Sequence, residues 1–459
     1  GNEEFTCQPS CDPKAVDPCE GDLVCNPLEG GGFGCFYPVH FMGNIYDSVT
    51  EEGIEGANVV AADEGGLVVT DVAISDADGN YDLIVPATRD ASGTPLPATY
   101  TLRVAAQGYQ PYPYGLRPAI PVDTPQNPVL SEDHYTVQNL TTDVALIELA
   151  STQGLGSIEG TIEPEGPMGA LVVAEEGPLT PGPYAFADRD GRFVIFNVPG
   201  GQYTVRAYKA GLQALPEDVT VAENEPLDGV VLAGSEDPLG SVTGQISIVN
   251  APGNAATSVV LIPESTFMET FVRGIVPPGL RAPTPGGAPS ITGEFEILDV
   301  PNGDYVVLAA FENDDLVRDP DPGIAGTQIV HISVPDTQGS PDIAIDTAFK
   351  VTEALPTIGP GADGPEAIES GTAPTFIWGD DSSETHYSIM VHNVFGELVW
   401  EVPDVPSVQG SETVEVLYEG PALAPGMYYQ WRATSHRASG PISLTEDLKG
   451  VFYVPSSVQ

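Results

Sequence analysis

The densest group of chemically capable side chains in the sequence is SDADGNYDLIVP, residues 75–86, where Asp76, Asp78, Asn80 and Asp82 crowd one glycine. Oxygen side chains set close together are what calcium takes, because the ion binds about six to eight oxygens. The order is not that of an EF-hand: the glycine follows too early, and no glutamate stands at the twelfth place. The same residue types also make turns, since Asp and Asn bond their own backbone and glycine supplies positive φ. Asp188 and Asp190 hold the matching place further along, and Asp314, Asp315, Asp319 and Asp321 crowd a later loop. A third matching turn, Ser290 to Gly293, has no acid at all. The expectation is therefore a turn, with calcium at Asp76, Asp78, Asn80 and Asp82 as the one candidate metal site and cofactor.

Nothing else in the chain points to a reaction. The histidines at 40, 134, 331, 386, 392 and 436 start no HExxH element. His386 and His392 share a face of an extended strand, but about 20 Å apart, too far for one metal. GxSxG, GxxxxGK[ST] and a GxGxxG after a strand are lacking, so no catalytic residue is assigned. The scarce cations Arg103, Arg117, Arg206 and Arg432 read as partial neutralisation of strand faces. Tyr109, Tyr112, Tyr114 and Arg117, in GYQPYPYGLRP, form either a protein or sugar contact surface or a loop folded over a sandwich edge.

A net charge of −51, from 66 acidic residues against 15 basic, repels phosphate backbones and anionic lipid. Nucleic-acid partners are excluded on that ground, and a membrane is reached only through an N-terminal lipid anchor. Cys7, Cys11, Cys19, Cys25 and Cys35 all fall in the first 35 residues. Such a cluster reads as a disulfide knot of an exported protein, and CxxC pairs, the usual zinc spacing, are absent. The odd count leaves one thiol over. No apolar run approaches the length of a membrane span, and Gly1 reads as a mature N-terminus, as in a lipoprotein.

Self-comparison supplies the elements that must position these residues. GNIYDSV at Gly43, GTIEPEG at Gly160 and GQISIVN at Gly244 each lead, after a turn, to a small-residue strand: GANVVAADEGG, GALVVAEEG and AATSVVLIPE. Then come DADGNYDLIVP, DRDGRFVIFNVP and ITGEFEILDVP, and last ATYTLRVAAQGY, GQYTVRAYKAG and GDYVVLAAFEN. Period-2 alternation runs through them, with Tyr203, Val205 and Ala207 on one face and Thr204, Arg206 and Tyr208 on the other, as in a half-buried strand. With Gly and Pro together about a fifth of the residues, the expected fold is all-β: a tandem array of antiparallel sandwiches behind a small disulfide-rich segment.

The order GxIxD…GAxVxA…DxxGxYxLxVP…YxLxVxAxGY resembles the carboxypeptidase regulatory-like, transthyretin-like sandwich, akin to repeat B modules of bacterial surface proteins. The third copy departs by an insertion at 268–290. PTFIWGDD, HYSIMVHNVFGELVWE and LAPGMYYQWRAT resemble a fibronectin type III-like domain whose core takes Trp378, Tyr429 and Trp431. The implied layout is a Cys-rich segment (1–38), three sandwiches (39–152, 153–236, 237–348), a linker (349–371) and the fibronectin-like sandwich (372–459). The resemblance implies a non-enzymatic structural or assembly subunit, or a stalk, on the outer surface of a bacterial cell. Its partners would be other proteins or copies of itself; the alternatives are a glycan- or peptide-binding module and an accessory chain of a secreted enzyme.

Overall fold

In the computed structural model, each repeat is built around its glycine-bearing opening strand. The structure describes residues 10–13, 18–63, 66–114, 119–125, 128–131, 133–177, 180–249, 257–268, 274–283, 290–311, 329–346, 349–352, 354–381, 383–408, 410, 412–445 and 449–455. In the first sandwich Val39–Asp47 pairs antiparallel with Asn80–Val85 and parallel with His134–Val137 and Val144–Leu146. In the second, Leu155–Ile162 takes Arg192–Pro199 antiparallel and Pro226–Leu232 parallel. In the third, Gly240–Val249 takes Glu294–Val300 antiparallel, then Asp342–Ala344 and Phe349–Thr352 parallel. In each repeat the last strand or strands thus return parallel beside the first.

The facing sheets are also equivalent. Their orders are Ala73–Ile74, Asn58–Ala62, Thr99–Ala105, Pro121–Asp123; then Tyr184–Phe186, Leu171–Glu175, Gly201–Tyr208, Glu217–Val221; then Arg281–Ala282, Thr257–Pro263, Gly303–Phe311, Val330–Val334. The fourth sandwich sets Thr357–Gly359, Thr375–Gly379 and Thr413–Leu417 against a sheet centred on Tyr428–Arg437 and His386–Asn393. Trp378, Trp431, Tyr387 and Phe376 are fully buried between them.

The repeat signature has a packing cause. Gly43, Gly160 and Gly244 stand directly across from Tyr81, Phe193 and Phe295. The ring lies over the glycine: a Cβ on Gly160 would come within 2.6 Å of Phe193, and one on Gly244 within 2.6 Å of Phe295. The recurring VP has a second partner. The hydroxyls of Tyr100, Tyr203 and Tyr305 donate to the carbonyls of Pro86, Pro199 and Pro301, tying the two sheets of each sandwich together.

The small-residue strands are not half-buried. Val172 and Ala174 face the core of the second sandwich, while Leu171 and Val173, pointing outward, are just as fully buried. Val60 and Val68 of the first sandwich and Tyr208 of the second join the third sandwich's Val259, Leu261 and Tyr305 in one apolar cluster. Leu67 reaches into the outer face of the third sandwich, against Val260, Ile262 and Val306. On that face of Gly201–Tyr208, Tyr208 is buried and Arg206 partly so, while Thr204 meets Asp218 in an exposed contact. Glu175 collects what is polar there, accepting from Tyr208 Oη, Arg206 Nε and Ser265 Oγ of the third sandwich. Leu171→Ala, on the outward face, is expected to cost about 2–5 kcal/mol, as a core truncation does. Chemical denaturation measures it, and a cost below about 0.5 kcal/mol, usual for surface changes, would contradict the shared seam.

Candidate functional site at the acidic turns and the junctions

The residues chosen from sequence as a metal site do not converge. Asp76 Oδ1 accepts from the amides of Asp78 at 3.0 Å and Asn80 at 2.8 Å. The Gly79 amide donates to the Asp76 carbonyl and the Asp76 amide to the Asn80 carbonyl, both at 2.9 Å, with Gly79 at φ 81°. Asp82 lies on the following strand, its Oδ1 2.5 Å from Nδ1 of His40. The turn is a reusable part. Asp188, Asp90, Asp336 and Asn393 each accept from the amides two and four residues on, at 2.7–3.0 Å. The spacing D-x-x-G or N-x-x-G was in the sequence at all of them. In the acid-free third copy one contact survives: Gly293 O accepts from Ile246 N, as Gly79 O does from Ile45 and Gly191 O from Ile162. Asp314, Asp315, Asp319 and Asp321 lie outside the described residues.

The amide of Asn80 holds the Asp76 carboxyl below the usual carboxylate range. A lowered folded value means that its contribution is present above about pH 4 and is lost as pH falls through the lowered value. Asp76→Ala is expected to lower the thermal midpoint at pH 7 and to lose that effect at acid pH. Calcium is expected to leave the wild-type midpoint unchanged; a calcium-dependent rise abolished by Asp76→Ala would restore the metal site.

The cysteines pair as Cys11–Cys25 and Cys19–Cys35, on the short hairpin of Val24–Pro27 with Phe33–Phe36. Cys7 lies outside the described residues. The sulfurs of Cys11, Cys19 and Cys35 are within 4.8 Å of one another, but each is held in a disulfide, which leaves no thiolate for a metal. The aromatic cluster separates. Tyr112 is buried in the first core and its hydroxyl accepts from Ile120 N, so it presents no contact surface. Tyr109 sits at a junction, Tyr114 is exposed, and Arg117 lies outside the described residues. Arg206 pairs with Glu175, whereas Arg103 faces Tyr184 across the crevice between the first two sandwiches.

Histidine contacts invisible to spacing are made across strands. His40 and His134 lie with ring centroids 5.0 Å apart, and His386 stacks on His436 at 4.8 Å. Ser388 Oγ is 2.8 Å from His436 Nε2. Burial and the neighbouring His386 push His436 below the usual imidazole range. A nucleophile and base in contact need an orienting group as well. Among the described residues no carboxylate bonds His436, so the pair is a cross-strand contact.

What the geometry does build, twice, is a docking device. In the strand ending in VP, the second and third sandwiches carry an extra residue, a β-bulge opposite Gly156/Ile158 and Gly240/Val242. At these bulges Asn197 and Asp299 sit at φ 59° and 56°, a conformation that Asn and Asp tolerate best after glycine. Asn197 receives the turn that follows Thr99–Ala105 of the first sandwich: Nδ2 donates to Ala106 O and Tyr109 O, both at 2.9 Å, and Gly108 N donates to Oδ1 at 2.6 Å. Gln107 Oε1 accepts from Asn197 N at 3.2 Å. In the next junction Gly211 N donates to Asp299 O at 2.8 Å, and Gln213 Oε1 accepts from Asn302 N at 3.0 Å. The connecting segments pair alongside, Tyr109 with Glu148 and Ala214 with Gly234. In the first sandwich the same strand has unbroken register from Val39/Val85 to Asn44/Asn80.

No protein-family model matches this chain, and no curated protein matches it. Solved structures do. The Bacillus anthracis TIE protein is 10% identical over 88% of this chain and 69% of its own, with TM-score 0.15. The major pilin subunit of Bacillus cereus, in the form of a single-substitution variant, is 12% identical over 67% of this chain and 99% of its own, with TM-score 0.19. A streptococcal ancillary pilin is 10% identical over 68% and 99%, with TM-score 0.17. At these TM-scores the whole chains do not superpose.

Asn197→Ala removes three cross-junction hydrogen bonds and the residue type that tolerates positive φ. About 2 kcal/mol is expected, with hydrogen exchange at Gly108 accelerated while the core of the fourth sandwich is unaffected. Uniform acceleration along the chain would mean that Asn197 serves the fold at large and not the junction.

Proposed function

We propose that the chain is a non-enzymatic structural subunit of an extracytoplasmic, cell-surface assembly, acting through protein–protein contacts. The observation that carries this reading is the fusion of three sandwiches through one apolar seam and two hydrogen-bonded junctions. Such a body resists hinge motion, because opening it would expose fully buried side chains such as Leu171 and Val173 to water. It suits a rigid building block better than a flexible stalk. The cystines suit an oxidising compartment outside the cytosol, and the net charge of −51 suits contact with proteins, not nucleic acid.

Within this reading the three repeats are carboxypeptidase regulatory-like sandwiches, the third running past 348 through Phe349–Thr352, which pairs with Gly240–Val249, and the fourth sandwich taking Thr357–Gly359 out of the expected linker. The fourth is fibronectin type III-like, a reading supported by Thr357–Gly359, Thr375–Gly379 and Thr413–Leu417 facing Leu398–Pro406, His386–Asn393, Tyr428–Arg437 and Val451–Tyr453 in neighbour order. Calcium at the Asp76 turn, a lipid anchor and a glycan ligand are secondary to this reading. Electron microscopy and cross-linking of the native preparation test it: the protein is expected at regular spacing beside neighbours on the cell surface. A monodisperse monomer without cross-linked neighbours, or turnover of a peptide or glycan by the purified chain, would overturn it.

A further inference from the structure

The first sandwich meets the cystine hairpin at the same end where the later sandwiches receive a predecessor. Just past Val85 and Pro86, Ala87 N donates to Asn26 Oδ1 at 3.3 Å and Arg89 N to Pro27 O at 2.9 Å. Glu29 N returns a bond to Arg89 O at 2.9 Å. The Arg89 side chain has no exposed surface. Its guanidinium lies between the rings of Phe36 in the hairpin and Tyr135 in the sandwich, 5.4 and 5.5 Å from their centroids, and Nη2 donates to Tyr37 O at 2.8 Å. Nε and Nη1 meet no acceptor among the described residues. A buried cation held by two ring faces and one carbonyl depends on those groups staying in place.

We infer that the hairpin is an N-terminal cap that the two cystines lock over the docking end of the first sandwich. Two observations on separate elements agree. The hairpin's Asn26 accepts from Ala87 just past the VP, as the second sandwich's Gln213 accepts from Asn302 just past the VP of the third, and the first sandwich lacks the bulge at which Asn197 and Asp299 receive a preceding turn. Arrays of stacked units need a terminal element of different sequence to cover the last exposed interface. The array is therefore closed at this end, and another sandwich of its kind does not add there. The cap is also conditional on oxidation, because a hairpin of two four-residue strands does not hold itself together in water.

Dithiothreitol tests this on the full chain. It reduces each cystine to two thiols by delivering two electrons and two protons, and closes to its own cyclic disulfide. A chelator is included, because freed sulfurs this close would take up zinc. Hydrogen exchange is compared for oxidised protein, reduced protein, a variant with all five cysteines changed to serine, and Arg89→Met with its cystines intact. Protection is expected to fall at least tenfold at 24–36 and 85–89 in all three altered forms and to persist at the two junctions. Unchanged exchange on reduction, or equal loss across all sandwiches, would each overturn the inference.

Discussion

The structure depends on burying both faces of one strand in each repeat. Asn58–Ala62, Leu171–Glu175 and Thr257–Pro263 are rich in Val, Ala and Leu at successive positions, so neither face can be given to water without a large loss of burial. One face goes to the sandwich's own core and the other to the seam between sandwiches. This constraint turns three similar units into one body. It also explains why the polar groups of the seam gather on Glu175: a carboxylate largely withdrawn from water is stabilised where a cation and hydroxyls meet it.

Charge is handled by a different device. In a chain with 66 acidic residues, self-repulsion opposes compactness. Part of that acidity is put to structural use, because Asp76, Asp90, Asp188 and Asp336 each accept two backbone amides and so close a turn. Asn393 does the same without a charge, and the third repeat keeps the glycine contact without any side chain. The carboxylates are thus one of several ways to satisfy the same backbone, which is why they vary between repeats while the glycine does not.

Much of the fold was legible because repetition and period-2 alternation are local properties. The strands around Gly43, Tyr81 and Tyr203, the paired cysteines as a class, and the burial of Trp378, Tyr429 and Trp431 all follow from neighbours in sequence. The candidate site was less legible. Asp76 and Asp82 are six residues apart, yet one turns back onto its own amides while the other crosses to His40. Tyr112 and Tyr114 are two apart, and one is core while the other is exposed. Alternation says that such residues differ in facing, but not which face has a partner.

By itself, then, the sequence determined an all-β chain of repeated sandwiches with a cystine segment in front, since each of these rests on composition, spacing or self-similarity. The tertiary structure alone decided that the outward face of the small-residue strands is interior, that Asn197 and Asp299 receive the preceding sandwich, and that His386 meets His436. These are contacts between segments far apart along the chain. They depend on how whole sandwiches dock, and a pattern read along one strand carries no information about the surface that will cover it.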